Sequence, residues 1–343
     1  MNQFKLNEDE VKHVKSILAE LTEKYDTAED PEFLNNAVVY AHKLPERLRR
    51  FLNDFKLERL SPACVISNNP VDDNQIGQTP SHWKWKSDTE RTVDLQMLFV
   101  MYASLIGDVF GWSTQQDGFI VHDILPIKGH EKEQLGSGSE ELLTWHIEDA
   151  FHPYRGDYVA LMCLRNPYDA ITTAAYIDDL QLSCEDKDIL FKPYFTIRPD
   201  ESHLKKNASD VRTKTELETN AALRASYEHI EKMNTDPDKI SVLFGNSEFP
   251  YMRLDPYFMD PVEDEKAQTA LNNLIEAIDN NMRDIILQPG DCCFIDNYRA
   301  VHGRKPFTAN YDGYDRWLKR LNITRDLRKS QKMRAKPLSR VIL

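Results

Sequence analysis

The sequence predicts an α+β protein in which a helical N-terminal region precedes a sandwich or barrel of short strands. Three observations carry that expectation. Apolar residues before about residue 62 recur at helical spacing, as in Val11, Val14, Ile17, Leu18 and Leu21. From Gly111 to about Arg325 the pattern changes to short β-like runs separated by Pro, Gly and Asp. A polar, charged stretch from about Pro199 to Asn220 interrupts those runs with few large apolar residues, so it reads as an insertion over one face rather than a core element. The chain then divides as a single domain, 1–343, with a helical elaboration at 1–62, a sheet body at 111–325 and a lid-like insertion at about 199–235.

Taken in order, Asn7 can cap a first helix, with Glu10 three residues on completing a capping box. Helices at about 31–42 and 46–56 follow, then a short strand at Cys64-Val65-Ile66 and a loop from Asn68 to Trp85. Thr89 to Phe110 is apolar enough for a buried helix ended by Gly107 or Gly111. Strands are expected at Phe119–Val121, Leu142–Trp145, Tyr158–Met162 and Ala170–Thr173. After the insertion come a helix near Glu216–Met233, a strand at Ile240–Phe244 and a helix from Asp264 to Asn280. Ile285-Ile286-Leu287 enters the turn Gln288-Pro289-Gly290-Asp291 and Cys292–Ile295 leaves it, which reads as a hairpin. Trp317–Ile323 is the last strand, and the basic tail from Arg325 to Arg340 reads as a solvated, partly ordered end.

Composition bounds the function. With 41% hydrophobic residues and only 12 glycines, 343 residues bury a sizeable core. A net charge of −13 argues against nucleic acid or an anionic membrane as partner, because both require a basic surface. A cationic small molecule fits better, and homo-oligomerisation stays open. No apolar run reaches the roughly 18 residues needed to span a bilayer, and the N-terminus leads into a charged helix, so a cytoplasmic location is expected. Five cysteines, Cys64, Cys163, Cys184, Cys292 and Cys293, lack C-x-x-C spacing and read as reduced and mostly buried.

The chemistry is concentrated in Trp145-His146-Ile147-Glu148-Asp149 and, far downstream, His302. On an extended strand, side chains two apart project to one face, which sets the His146 imidazole beside the Glu148 carboxylate. His302 from a later strand would complete a two-histidine, one-carboxylate facial set of the kind that holds ferrous iron with open positions. Fourteen residues beyond His302 comes Arg316, a guanidinium able to clamp a carboxylate.

Together with Thr144–Arg155 (T-W-H-I-E-D-A-F-H-P-Y-R), L-R-N-P at Leu164–Pro167, Thr172-Thr173, the Q-P-G-D turn, N-Y-R-A-V-H-G-R at Asn297–Arg304 and D-R-W-L-K-R at Asp315–Arg320, the sequence resembles the clavaminate synthase-like Fe(II)/2-oxoglutarate-dependent oxygenases, and among them the hydroxylases of free basic amino acids. The resemblance implies a double-stranded β-helix (jelly-roll, cupin-like) core with flanking helices. It implies Fe(II), 2-oxoglutarate and O2 as cofactor and cosubstrates, and His146, Glu148 and His302 as metal ligands. Arg316 would hold the distal carboxylate of 2-oxoglutarate together with Thr172 or Thr173, only one of which can point inward because the two alternate in direction, with Thr172 the favoured choice. Arg320 would bind the substrate α-carboxylate, and Gln116, or its neighbour Gln115, the amino end.

Asp255, before Pro256, is a candidate for the cationic terminus of the substrate or an ordinary turn residue. His152 reads as a structural hydrogen-bonding residue, Arg299 and Arg304 as surface charges, and Trp145 as core packing. The favoured reaction is hydroxylation of L-lysine at C4 or C3, with L-arginine hydroxylation or desaturation next. Glu148 fills the position a halogenase leaves to chloride. A zinc hydrolase and a non-catalytic binding protein are the readings from other classes.

Overall fold

The computed structural model describes residues 1–58, 60–85, 91–205 and 220–343. Thr89 and most of the polar stretch, 206–219, lie outside the described residues.

The chain opens with β1 (Asn2–Lys5), which the sequence did not signal, and α1 (Glu8–Thr22), where Asn7 and Glu10 form the expected capping box. Next come α2 (Pro31–Ala41), α3 (Glu46–Leu57), β2 (Ala63–Ser67), a helical turn at Asp73–Ile76 and α4 (Val93–Ser104). The apolar run over Val109 and Phe110 is not helix. It forms β3 (Asp108–Trp112), because Gly107 lies so close to the Thr324 carbonyl that the chain must turn there and join the sheet. Then follow β4 (His122–Ile124), three residues later than expected, β5 (Leu143–His146), β6 (Tyr158–Arg165), β7 (Thr172–Tyr176) and α5 (Cys184–Leu190). After the insertion come α6 (Ala221–Thr235), β8 (Leu243–Gly245), β9 (Pro250–Met252) and α7 (Glu265–Asp279), which Asp264 caps. The chain ends with β10 (Arg283–Ile285), β11 (Cys292–Asp296), β12 (Ala300–Arg304), β13 (Trp317–Thr324) and β14 (Val341–Ile342).

The strands form two main sheets. The larger runs β1-β2-β11-β6-β13-β3-β14, with β4 also on β13, and the smaller runs β10-β7-β12-β5. Period-two alternation explains how the larger sheet is buried on both faces. On β6, Val159, Leu161 and Cys163 meet Ala174 and Tyr176 of the small sheet, while Tyr158, Ala160, Met162 and Leu164 join the cluster made with α1 to α4. The far face of the small sheet packs Trp145, Ala175 and Val301 against Leu271, Leu274 and Ile278 of α7.

One expectation fails. The Gln288–Asp291 turn is not a hairpin: β10 pairs with β7 in the small sheet and β11 with β2 and β6 in the large one. The turn therefore carries the chain between sheets. The basic tail is largely exposed and partly ordered through Arg340, as expected, and just beyond it β14 pairs in parallel with β3 and Ile342 packs on Phe110 and Trp112. The cysteines are free as expected, with all but Cys184 buried.

Candidate active site

The small sheet sets the site. β12 and β5 are antiparallel and pair His302 directly with His146, so two imidazoles project together with ring centroids 4.7 Å apart. Glu148 follows the end of β5, in a turn closed by Ala150 N–H donating to the Ile147 carbonyl. Asn297 clamps that turn: its Oδ1 accepts from Glu148 N–H at 2.8 Å and its Nδ2 donates to the Glu148 carbonyl at 3.0 Å. Glu148 Oε2 then lies 3.4 Å from His302 Nε2 and 3.8 Å from His146 Nε2. His146 Nδ1 donates to the Thr144 carbonyl at 2.8 Å, which leaves Nε2 free as a ligand.

Burial works against the charge of Glu148, but Arg320, His146 and His302 hold its carboxyl well below the ordinary range. Burial also opposes charge on His146, yet Glu148 and Asp255 outweigh it and raise the imidazole to about 9. His302 moves the other way, lowered by burial and by the neighbouring His146 and Arg320. The trio would gain a divalent cation in exchange for protons, so metal binding there depends on pH. Two imidazoles and one carboxylate converging in this way suit ferrous iron.

A cavity lined by the trio also carries both basic and acidic side chains in its walls. Among the basic ones is Arg316, buried just before β13, with a guanidinium 3.4 Å from Thr172 Oγ1 and Nε unpartnered. Among the described residues no carboxylate pairs with Arg316, and burial alone presses its pKa down to about 10. A buried cation without a counter-ion is costly unless an anion joins it. A dicarboxylate chelating the metal at one end and reaching Arg316 at the other fits this arrangement. Thr172, rather than Thr173, lines the cavity.

Acidic side chains line it as well. Asp255 is buried, and its Oδ1 accepts from Tyr257 N–H at 3.2 Å, so the turn geometry and the cavity position coexist. Burial first, then Asp200 nearby, pushes the Asp255 carboxyl up to about 7, while His146 opposes the rise. Asp200 and Ser202, from the start of the insertion, line the same cavity. Arg320 also faces the cavity, donating to Glu148 Oε1, to Gln115 Oε1 at 2.7 Å and to His122 Nδ1 at 2.8 Å.

Several residue assignments change. Gln116 does not face this cavity: its amide is spent on the backbone of Asp123, at 2.9 and 3.1 Å, and Gln115 takes its place. Arg299 and Arg304 are not surface charges. Arg299 pairs with Asp178, and Arg304 is held by the carbonyls of Ser139 and Glu141 while lining the cavity. His152 accepts from Tyr154 N–H and packs edge-on to Trp112, and Trp145 sits in the core with its indole N–H on Asp279, both structural as expected. Sequence reading missed Asn297, Asp200 and Ser202. Asn297 stood inside a quoted motif, whereas Asp200 and Ser202 lay in a stretch whose polarity gave no sign of facing inward.

Residues 197–322 match the family model described as taurine catabolism dioxygenase TauD, TfdA family. The chain is 48% identical to an L-ornithine/L-arginine 3-hydroxylase of Catenulispora acidiphila over 100% of both chains. It is 44% identical to an enduracididine beta-hydroxylase of Streptomyces hygroscopicus over 98% of each. A lysine 4-hydroxylase of Niastella koreensis matches at 27% identity over 82% of this chain and 72% of its own. The solved structure of the non-heme iron oxygenase OrfP with Fe, succinate and (3S)-hydroxy-L-Arg superposes with a TM-score of 0.93 at 43% identity, covering 100% of both chains. With this degree of likeness over its whole length, the chain belongs to the TauD/TfdA dioxygenase family and, within it, to the non-heme iron, 2-oxoglutarate-dependent amino acid hydroxylases.

Proposed function

We propose that the protein hydroxylates free L-arginine, with L-ornithine next, at C3. The observation that carries the substrate is the pair of neighbouring carboxyl groups, Asp255 and Asp200, in the cavity lining. Two carboxylates suit a planar guanidinium, which spreads its charge over several donors, better than the compact ammonium of lysine. Lysine, favoured by the sequence alone, loses support for a second reason. The arginine and ornithine hydroxylase shares 48% identity with this chain and the lysine 4-hydroxylase 27%. Family membership also removes the zinc-hydrolase and non-catalytic readings.

In this proposal His146, Glu148 and His302 hold iron, and Arg316 with Thr172 holds the distal carboxylate of 2-oxoglutarate. Arg320 reads the substrate α-carboxylate, Gln115 the amino end, and Asp255 with Asp200 the side-chain cation. The chemistry supplied there by Fe(II) and 2-oxoglutarate is oxidative decarboxylation: one atom of O2 enters succinate, CO2 leaves, and the other atom replaces a C–H hydrogen as hydroxyl. The protein's part is to hold one substrate carbon toward the metal. Glu148 occupies the coordination position that chloride would need, which supports hydroxylation over halogenation. The two stacked sheets support a double-stranded β-helix core in a single domain.

The test is a panel of arginine, ornithine, lysine and norleucine incubated with Fe(II), 2-oxoglutarate, ascorbate and air. Arginine should give the fastest gain of one oxygen, strictly dependent on 2-oxoglutarate, and NMR should locate it on C3. Faster turnover of lysine than of arginine would overturn the substrate assignment.

A further inference from the structure

Behind the cavity wall lies a buried polar network that the proposed chemistry does not use. His203 ends a helical turn at Glu201–His203, is wholly inaccessible, and engages both ring nitrogens. Nδ1 is 2.8 Å from Thr114 Oγ1 and Nε2 is 3.1 Å from Asp149 Oδ1. The other Asp149 oxygen accepts from Trp112 Nε1 at 2.6 Å and Asn322 Nδ2 at 3.3 Å. The rings of Trp112 and Phe151 close around the imidazole at 5.6 and 5.0 Å. The network ties together three segments that are distant in sequence: the end of β3, the start of the insertion and the turn that follows Glu148.

Two features give the network a direction. Asp149 has φ of +52°, a left-handed conformation that is unfavourable for a residue with a Cβ. It follows Glu148 immediately, so side-chain anchors on Asp149 hold the turn that aims the carboxylate. On the insertion side, Asp200 lines the substrate cavity, and Ser202 Oγ accepts from Gln115 Nε2 at 2.7 Å, the same Gln115 whose Oε1 receives Arg320. One short segment, 200–203, thus touches the substrate wall through Asp200 and Ser202 and the metal turn through His203.

We propose that His203 is a positioning residue that locks the base of the insertion to the metal turn, keeping the bound amino acid in register with the iron so that decarboxylation of 2-oxoglutarate is coupled to hydroxylation. This rests on the hydroxylase reading above. Without the lock, the cosubstrate site around Arg316 stays intact, whereas the Asp200 wall shifts relative to the metal. Succinate then forms without hydroxylated product.

The experiment measures succinate and hydroxyarginine in the same reaction. His203→Phe keeps a ring in the Trp112–Phe151 pocket but bonds neither partner, His203→Gln can bridge both, and Thr114→Val removes one bond without touching the metal turn. Because small misplacements at a reacting centre have large effects, product per succinate is expected to fall roughly fivefold or more in His203→Phe, to drop part-way in Thr114→Val and to recover to within about twofold of the parent in His203→Gln. If His203→Phe does not fold by circular dichroism, Thr114→Val and His203→Gln decide. An unchanged ratio in the folded variants, with activity lost only in proportion to stability, would overturn the lock. A parent enzyme that hydroxylates none of the amino acids would overturn the hydroxylase reading instead, so the two failures are distinguishable.

Discussion

Arg316 and Asp255 are two buried ionisable groups of opposite sign lining one cavity, each placed for a ligand rather than for stability. For Arg316→Met, the loss of a charge-assisted contact of about 1.5–3 kcal/mol should raise the KM for 2-oxoglutarate roughly ten- to a hundredfold. An unchanged KM would move the clamp to Arg304 or Arg320. For Asp255 the sign follows from its raised pKa. The folded protein keeps its proton up to about 7, whereas the unfolded chain releases it near the ordinary value of 3.8. Stability attributable to this group is therefore lost as pH rises from about 4 through 7. Asp255→Asn should melt higher than the parent at pH 8, with the difference shrinking toward pH 4, and should lose arginine and ornithine turnover far more than that of norleucine. Equal losses for all three would make Asp255 structural. Alanine at His146, Glu148 or His302 should abolish turnover while circular dichroism stays native, because these side chains line an open site rather than the sheet core. Appreciable activity in any two would sink the metal assignment. His146, Glu148 and His302 can be picked out in the sequence because their types and spacing suit a metal, whereas Arg316 and Thr172 are indicated by the family resemblance. The choice between Gln115 and Gln116 stays open there, since which of two polar neighbours points inward depends on backbone twist, and Asp200 gives no signal at all.

Elements with local signatures were legible. Asn7 with Glu10 and Asp264 announce helices that form within a residue of where they point, and a strand buried on both faces, such as β6, stands out in the sequence as a continuous apolar run. What failed was pairing, which is not local. Gln288–Asp291 has every mark of a hairpin turn, yet β10 and β11 find partners in different sheets because β7 on one side and β2 and β6 on the other offer longer ladders. Gly290 shows what that crossing demands. Its φ is +88°, its N–H donates to the Cys163 carbonyl at 2.9 Å, and its carbonyl accepts from Asn69 Nδ2 at 2.7 Å. An added Cβ would sit 2.8 Å from the Asn69 carbonyl oxygen. Gly290→Ala should therefore destabilise the fold by about 2 kcal/mol, the left-handed penalty plus the contact, as read by urea denaturation. Parent-like stability would mean that the crossing relaxes freely.

Across the whole molecule, the C-terminal tail connects the farthest end of the chain to the metal turn. Its many lysines and arginines keep it largely exposed, as composition suggests, but composition does not register the backbone pairing at its end. The Gly111 N–H donates to the Arg340 carbonyl at 3.0 Å and the Ser113 N–H to the Ile342 carbonyl at 2.8 Å, so the tail covers the outer edge of β3. Arg334 is buried and caps the tail through the Ser339 carbonyl at 2.9 Å. Ile342 lies on Trp112, whose indole N–H holds Asp149 beside Glu148. Deleting residues 338–343 would strip one fully buried apolar side chain, worth about 2 kcal/mol, and would unpair a sheet edge. For a protein of this size that should lower Tm by roughly 3 °C. The deletion should also weaken Co(II) binding, titrated as a spectroscopic stand-in for iron, because Trp112 would lose the packing that fixes its hold on Asp149. Leu338→Glu is the control: Leu338 is 72% exposed, so replacing it should change neither quantity. A truncated protein with a lower Tm but parent-like Co(II) affinity would confine the tail to stability, and one unchanged in both would mean that β3 keeps its edge without it.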